Sequence, residues 1–204
     1  ISRGLVGSEM CIRDRVEHRG DHFTIGGLGA SIKPKQPSGP PIWIGGDVIS
    51  AVKRAAKLGC PWIIPPTMGS NDIAIRINAY EQTIKTLGNE KVTGQPLIRE
   101  LAIGRTKQEA FEVARKPLLA KYESYATWGQ TDTKKERTLS DTFEEFCRDR
   151  FIIGDEQEVV DEILKYKESF GVDNLLVRVQ WPGLGQGEVL KTLDHLGKII
   201  ATVS

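Results

Sequence analysis

The sequence predicts an α/β fold in which four parallel strands alternate with helices, and three observations carry that expectation. Short apolar runs bounded by Pro and Gly recur along the chain, each followed by a longer stretch with apolar residues at helical spacing. Helix start and stop signals sit at the junctions between them. No break in composition divides the chain after residue 41, and 204 residues suffice for one core of ordinary size.

The N-terminal stretch "GLVGSEMCIRDR" has no apolar periodicity and no helix cap. Its residues 5–14 back-translate without a mismatch onto the end of a transposase-based sequencing adaptor. Residues 1–15 are therefore expected to be an adaptor scar outside the fold, with the natural chain continuing upstream of Val16. Residues 16–41, rich in Gly and Pro, read as a long extended connection with one short hairpin.

"PIWIGG" has the apolar, Pro- and Gly-bounded pattern of a buried strand, and "DVISAVKRAAKLG" follows as a helix. Val48, Val52, Ala55 and Ala56 share its buried face, with Asp47 expected to cap the start and Gly59 the end. "CPWIIPP" is the second strand. The next helix opens near Ser70, carries Ile73, Ile77, Tyr80, Ile84 and Leu87 on one stripe, and stops at Gly88. "PLIRELAIG" is the third strand, and Thr106 with Glu109 makes a capping box for a helix that Pro117 bends or restarts. Polar, turn-rich residues 129–141 read as a mobile loop. "FIIG" is an apolar stub, Asp155 with Glu158 caps the amphipathic helix after it, "DNLLVRV" is the fourth strand, and "EVLKTLDHLGKIIATV" is the closing helix.

A net charge of +1 provides no basic footprint for nucleic acid. No run of about 18 apolar residues exists to span a bilayer. Outside the adaptor-like stretch, Cys60 and Cys147 are far apart and read as reduced, buried thiols of a cytosolic protein. With only His18, His22 and His195 available, no metal site is expected.

Two architectures fit the element order: a doubly wound open sheet, or half of an eight-stranded (β/α) barrel. A whole barrel takes about 250 residues. Four uninterrupted βα units after a long irregular lead suit the back half of a barrel.

In either architecture ligands bind at the carboxyl ends of the strands. "IWIGGDVIS" offers two glycines, a helix N-terminus and the Ser50 hydroxyl to an anion, against the charge of Asp47; an ordinary tight turn explains the same spacing. "WIIPPTMG" presents small and apolar groups suited to a flat aromatic ligand, or simply ends a core strand. Arg178 and Gln180 share a face of the last strand, and Trp181 follows in the loop, able to stack on a ligand or to cover the barrel mouth. Arg99 and Glu100 point to opposite sides of the third strand, so one of them faces inward and needs a partner, either substrate or salt bridge. His195 reads as a surface or packed histidine.

Together "PIWIGG…AVKRAAKLG", "IRE", "KPLLAKYESYATWGQ", "RDRFIIG", "RVQWPG" and the upstream "HRGDHFTI…KPKQPSGPPIWIGG" resemble the luciferase-like flavin-dependent monooxygenases, in their bacterial class. The resemblance covers essentially all of residues 16–204. It implies that residues 42–204 are strands five to eight of a (β/α)8 TIM barrel, with 16–41 as a connecting insertion. It also implies reduced FMN as cosubstrate, reaction with O2 and oxygenation of a small organic substrate. A subgroup of similar sequences uses F420 for hydride transfer, and the motifs do not separate the two.

By the same resemblance, Gly45, Gly46, Asp47, Val48 and Ser50 help hold the cofactor phosphate, and Pro65, Pro66 and Thr67 lie near its ring. Gln180 and Trp181 line the substrate side, where Arg99 and Arg178 are also placed. The family's active-site histidine comes from the first four strands. No catalytic residue is therefore named in this chain, and the chain alone is expected to be inactive. A cytoplasmic location, a homodimeric full-length protein and a flavin reductase partner complete what the resemblance implies.

Two rival readings stand beside it. A non-catalytic half-barrel that binds a ligand or pairs with itself would have to hide its edge strands, which only Arg178 protects by charge. A sugar-phosphate barrel enzyme would share the anion turn but calls for a catalytic Lys or Glu at strand ends that the sequence does not clearly display.

Overall fold

A computed structural model describes residues 15–29, 35–36, 39–88, 94–127 and 139–203. It opens on an antiparallel hairpin of β1 (Arg15–Arg19) and β2 (Thr24–Gly29). Strand β1 thus begins on Arg15, the last residue of the stretch read as adaptor-like; residues 1–14 lie outside the described residues. A long connection then leads to the α/β unit.

Four parallel segments lie side by side in chain order. Ile44 bridges Trp62, Ile64 bridges Leu97, and β3 (Pro96–Ile103) pairs along Pro96 to Glu100 with β5 (Asn174–Arg178). The first two segments, expected as strands, make only isolated bridges. Their prolines explain this, because Pro41, Pro61, Pro65 and Pro66 have no N–H to extend a ladder. What remains is enough to set the register: Ile64 N donates to Pro96 O at 2.8 Å and Ile98 N to Ile64 O at 3.0 Å.

The apolar stub before Asp155 becomes a short strand, β4 (Ile152–Gly154), parallel to the end of β3. Ile98 N reaches Ile64 and Gly104 N reaches Gly154. Residues of equal parity direct their N–H groups to the same edge, so β4 shares that edge with the segment around Ile64 and β5 holds the other. The short β4 therefore departs from chain order, the sheet running β4-β3-β5, while the segments around Ile44 and Ile64, β3 and β5 follow one another in sequence.

The helices are α1 (Ile49–Lys57), α2 (Ser70–Leu87), α3 (Lys107–Thr127), α4 (Leu139–Cys147), α5 (Glu156–Phe170) and α6 (Gln186–Val203). They divide the core by the alternation of β3. Leu97, Leu101 and Ile103 pack with Val52, Trp62, Ile73, Tyr80, Val159, Tyr166 and Ile199 on one side. Ala102, on the other, packs with Ala114, Leu118 and Tyr122 of α3, Phe143 and Cys147 of α4, and Phe151 and Trp181. Cys60 and Cys147 are buried, as expected, and form no disulfide, and burial pushes the Cys147 thiol pKa up.

Local signals are kept with exceptions. The Asp155–Glu158 capping box is complete, with Glu158 N donating to Asp155 at 2.9 Å and Asp155 N to Glu158 at 3.1 Å. Only half of the Thr106 box forms: Glu109 N donates to Thr106 Oγ1, but the Glu109 carboxylate accepts from Arg105 N. Asp47 does not cap α1; the N-cap is Val48, in extended conformation and without a side-chain cap bond. Helix α3 continues through Pro117, whose ring is buried beside Leu118, so packing offsets the hydrogen bond the proline removes. Leu87, expected on the buried stripe, is exposed in the last turn of α2. Most of residues 129–141 lies outside the described residues; its end opens α4.

Candidate functional site

The strand ends gather the residues of interest. After Ile44 the chain turns through Gly45, Gly46 and Asp47, all exposed, into α1. Gly46 has φ +139°, and a Cβ there would stand 2.5 Å from the Ala51 Cβ. Its carbonyl accepts from Trp62 Nε1 at 2.7 Å. The close approach of turn to helix therefore accounts for this glycine. Val48 is exposed, and Ser50 lies exposed in the first turn of α1. Arg76 of α2, which the sequence did not single out, donates to the Asp47 carbonyl at 2.6 Å and pairs with Asp72 at 3.1 Å. A cation thus stands at the backbone of the turn, and the first turn of α1 adds its own positive dipole end.

The second strand end, Pro65, Pro66 and Thr67, is half-buried and tied down through its backbone. Pro65 O accepts from Arg99, and Thr67 O from Arg150 at 2.7 Å. The start of α2 is held from far away: Ser70 N and Oγ donate to the Asp149 carboxylate at 2.6 and 2.5 Å. Asp149 and Arg150 are legible only as part of "RDRF", with nothing local to mark them as partners of this turn.

Arg99 and Glu100 are both 0% exposed, one on each side of β3. The expectation that one of the two would face inward is thus replaced by two buried sites. Arg99 donates to the Tyr166 hydroxyl at 3.0 Å and to the Met68, Pro65 and Ile98 carbonyls, and it lies 4.8 Å from the centre of the Tyr166 ring. It holds together α5 and the 65–68 turn. Every guanidinium nitrogen of Arg99 is hydrogen-bonded to another protein group.

Glu100, read from the sequence only as a charge that could need a partner, is a hub with four of them. Its Oε1 accepts from Lys121 Nζ at 2.8 Å, from the Tyr122 hydroxyl at 2.9 Å, and from Arg178 Nη2. Its Oε2 accepts from Trp181 Nε1 at 2.5 Å. Trp181 is therefore a buried member of the cluster, 2% exposed, rather than an open stacking surface. Arg178 is a third exposed and Gln180 exposed. Burial, then the Glu100 charge and hydrogen bond, pushes the Tyr122 pKa well above the ordinary range, so this phenol stays neutral. The one available signal was a charged pair, Arg99 and Glu100, inside an otherwise apolar strand, with Lys121 and Tyr122 on the following helix.

A cavity of about 330 Å³ opens beside Trp181, between the end of β3, the start of α3 and α6, and is lined by Arg105, Thr192 and His195 among others. His195 Nδ1 lies 2.6 Å from Glu156, so this histidine is a packed one that links α5 and α6. A larger cavity, about 590 Å³, lies between α3, α4 and α5, away from the residues above. No helix among the described residues is long and apolar enough to cross a membrane.

Comparison with known proteins places this geometry. The chain resembles monooxygenase RslO1 from Streptomyces bottropensis, with TM-score 0.77 at 14% identity over 95% of this chain and 57% of that one. It resembles the FMN-bound oxygenating constituent of 3,6-diketocamphane monooxygenase from Pseudomonas putida, with TM-score 0.70 at 15% identity over 96% of this chain and 60% of that one. An F420-dependent secondary alcohol dehydrogenase in complex with an F420-acetone adduct matches with TM-score 0.69 at 16% identity over 96% of this chain and 58% of that one. The chain thus spans less than two thirds of each. No curated protein is similar enough to count as a match. The profile described as luciferase-like monooxygenase matches residues 2–174, most of the chain. On that match, this protein belongs to the luciferase-like monooxygenase family.

Proposed function

We propose that the chain forms strands five to eight of a (β/α)8 barrel in a flavin-dependent monooxygenase that uses reduced FMN and O2 to oxygenate a small organic substrate. The observation that carries the reading is the sheet order. Leaving aside the short β4, four parallel segments lie side by side in chain order, and the chain superposes on neighbours with longer chains.

The 45–50 turn fits a phosphate in its chemistry. It is exposed, it stands at the start of a nine-residue helix without a side-chain cap, and Arg76 stands against its acidic residue. Gly45, Gly46, Asp47, Val48 and Ser50 would hold the phosphate by backbone and hydroxyl, with Arg76 bound to the Asp47 carbonyl. Pro65, Pro66 and Thr67 would lie against the ring, on a turn that Arg99 and Arg150 keep rigid. Reduced FMN, when bound, supplies the electrons for O2. This chain's own part is to bind, to orient and to exclude water, with Gln180 and Arg178 facing the substrate. The full-length protein is read as a cytoplasmic homodimer served by a flavin reductase.

A second reading has its own support: the F420-bound neighbour superposes about as well as the FMN-bound one. In that case the same turn holds the F420 phosphate, and the reaction is hydride transfer without oxygen.

The test is anaerobic titration of the chain, and of a longer protein carrying the preceding βα units from the source DNA, with reduced FMN and reduced F420. Oxygen uptake is then measured. For the chain alone we expect no flavin binding tighter than about micromolar. The longer protein is expected to bind FMN and consume O2. Tight binding by the chain alone would overturn the half-barrel. Preference for F420 with no oxygen uptake would replace the first reading by the second.

A further inference from the structure

We infer that the Glu100 cluster is a receptor for one organic carboxylate of the substrate, with Arg178 as the contacting group and Glu100, Tyr122 and Trp181 as positioning residues. The word substrate rests on the flavin-enzyme reading above; carboxylate binding itself does not.

The charge count points to an anion. One carboxylate, Glu100, stands against two cations, Lys121 and Arg178. The Tyr122 phenol contributes no charge, since burial and Glu100 keep it protonated. One positive charge is left over in a largely buried setting, where it is poorly screened. Glu100 has no capacity to spare, because its two oxygens already accept from four donors.

The hydrogen-bond count points to the same place. Arg178 Nε is buried with no partner, and Nη1 makes no hydrogen bond among the described residues. An orphaned buried donor costs about 1–3 kcal/mol unless something fills it. Meanwhile the Arg178 side chain is 34% exposed, so the guanidinium can be reached from solvent. Gln180, exposed and two residues beyond the end of β5, adds a neutral donor and acceptor to the same strand exit. A planar guanidinium already held at one nitrogen offers its remaining N–H groups in a geometry that suits a carboxylate.

Arg99 shows that this openness is specific. Also an arginine at a strand position, it has every nitrogen committed to carbonyls or a hydroxyl. The cofactor phosphate is a poor candidate for Arg178. Three strand intervals of about 4.8 Å separate β5 from the segment that leads into the 45–50 turn.

The experiment titrates the intact chain with sodium benzoate and, separately, inorganic phosphate, without flavin, following the Arg178 Nε–H signal by ¹H–¹⁵N NMR. Its assignment comes from the signal's disappearance in Arg178→Lys. We expect a saturable shift with benzoate in about the millimolar range. Affinity should fall about tenfold in Arg178→Gln, with the ligand's own signals as readout. Lys121→Gln, which cancels the surplus charge but keeps the guanidinium, should weaken binding about threefold. Arg115→Gln, exposed on α3, should leave it unchanged. Thermal melts confirm that each variant folds. If neither Arg178 variant folds, Lys121→Gln decides the matter. No saturable shift, or unchanged affinity in folded Arg178→Gln, overturns the proposal. Tighter binding of phosphate than benzoate overturns the carboxylate assignment. Because no flavin or oxygen is present, failure of the FMN reading leaves this result intact, and the reverse also holds.

Discussion

Arg99 and Glu100 are adjacent in sequence and equally buried, yet they solve burial in opposite ways. Arg99 is a cation surrounded by neutral acceptors: a phenol and three carbonyls. Glu100 is an anion surrounded by two cations and two neutral donors. The first arrangement is closed and serves packing, joining α5 to the turn after Ile64. The second carries surplus charge and an unpaired donor, and it lies beside the exposed end of β5. Burial of a charged residue therefore does not by itself mark a binding site; the state of its partners does.

The largest effect should come from Glu100→Ala. It strands Lys121 and Arg178 without their carboxylate and leaves Trp181 Nε1 unpaired, at a cost of about 3–5 kcal/mol. Arg99→Met should cost less, about 1–3 kcal/mol, because it leaves only neutral acceptors unsatisfied and retains volume beside Tyr166. Urea unfolding of both variants checks the ranking, and the reverse order would break the comparison. Asp155→Ala, which removes one side of the α5 capping box and touches neither cluster, should cost about 1 kcal/mol in the same assay.

The smallest effect lies in alkaline pH and sharpens the contrast. Tyr122 and Tyr166 are both raised above the ordinary tyrosine value of 10.0 by burial, but Glu100 adds to the rise at Tyr122 while Arg99 opposes it at Tyr166. A raised folded pKa gives stability that is fully present below the unfolded value and lost as pH rises toward the folded one. Tyr122 should thus account for a loss of roughly 0.4 kcal/mol on reaching pH 10 and more beyond it. Tyr122→Phe should flatten the alkaline slope of stability more than Tyr166→Phe. Equal flattening would mean that the two neighbouring charges do not differ in their effect.

Much of the fold was legible because its signals are local. Gly88 and Gly171 close their helices in the left-handed conformation, Asp155 and Glu158 form their box, and "PLIRELAI" becomes the central strand. Local signals failed where a distant group intervened. Asp47 looked like a cap, yet the α1 boundary falls after Val48, and the acceptor at the start of α2 is Asp149, 79 residues away. Pro117 looked like a break, yet burial carries α3 through it.

The site divides along the same line. Strand alternation alone determined that Arg99 and Glu100 face opposite sides, because a side-chain period of two follows from backbone geometry; the same rule expected Arg178 and Gln180 to share a face, but β5 ends at Arg178. Which of these charges is closed and which is open was decided only when β3, α3 and β5 came together. Hydrogen-bond saturation depends on partners 21 to 81 residues away from Glu100, and no local pattern encodes the distance between them.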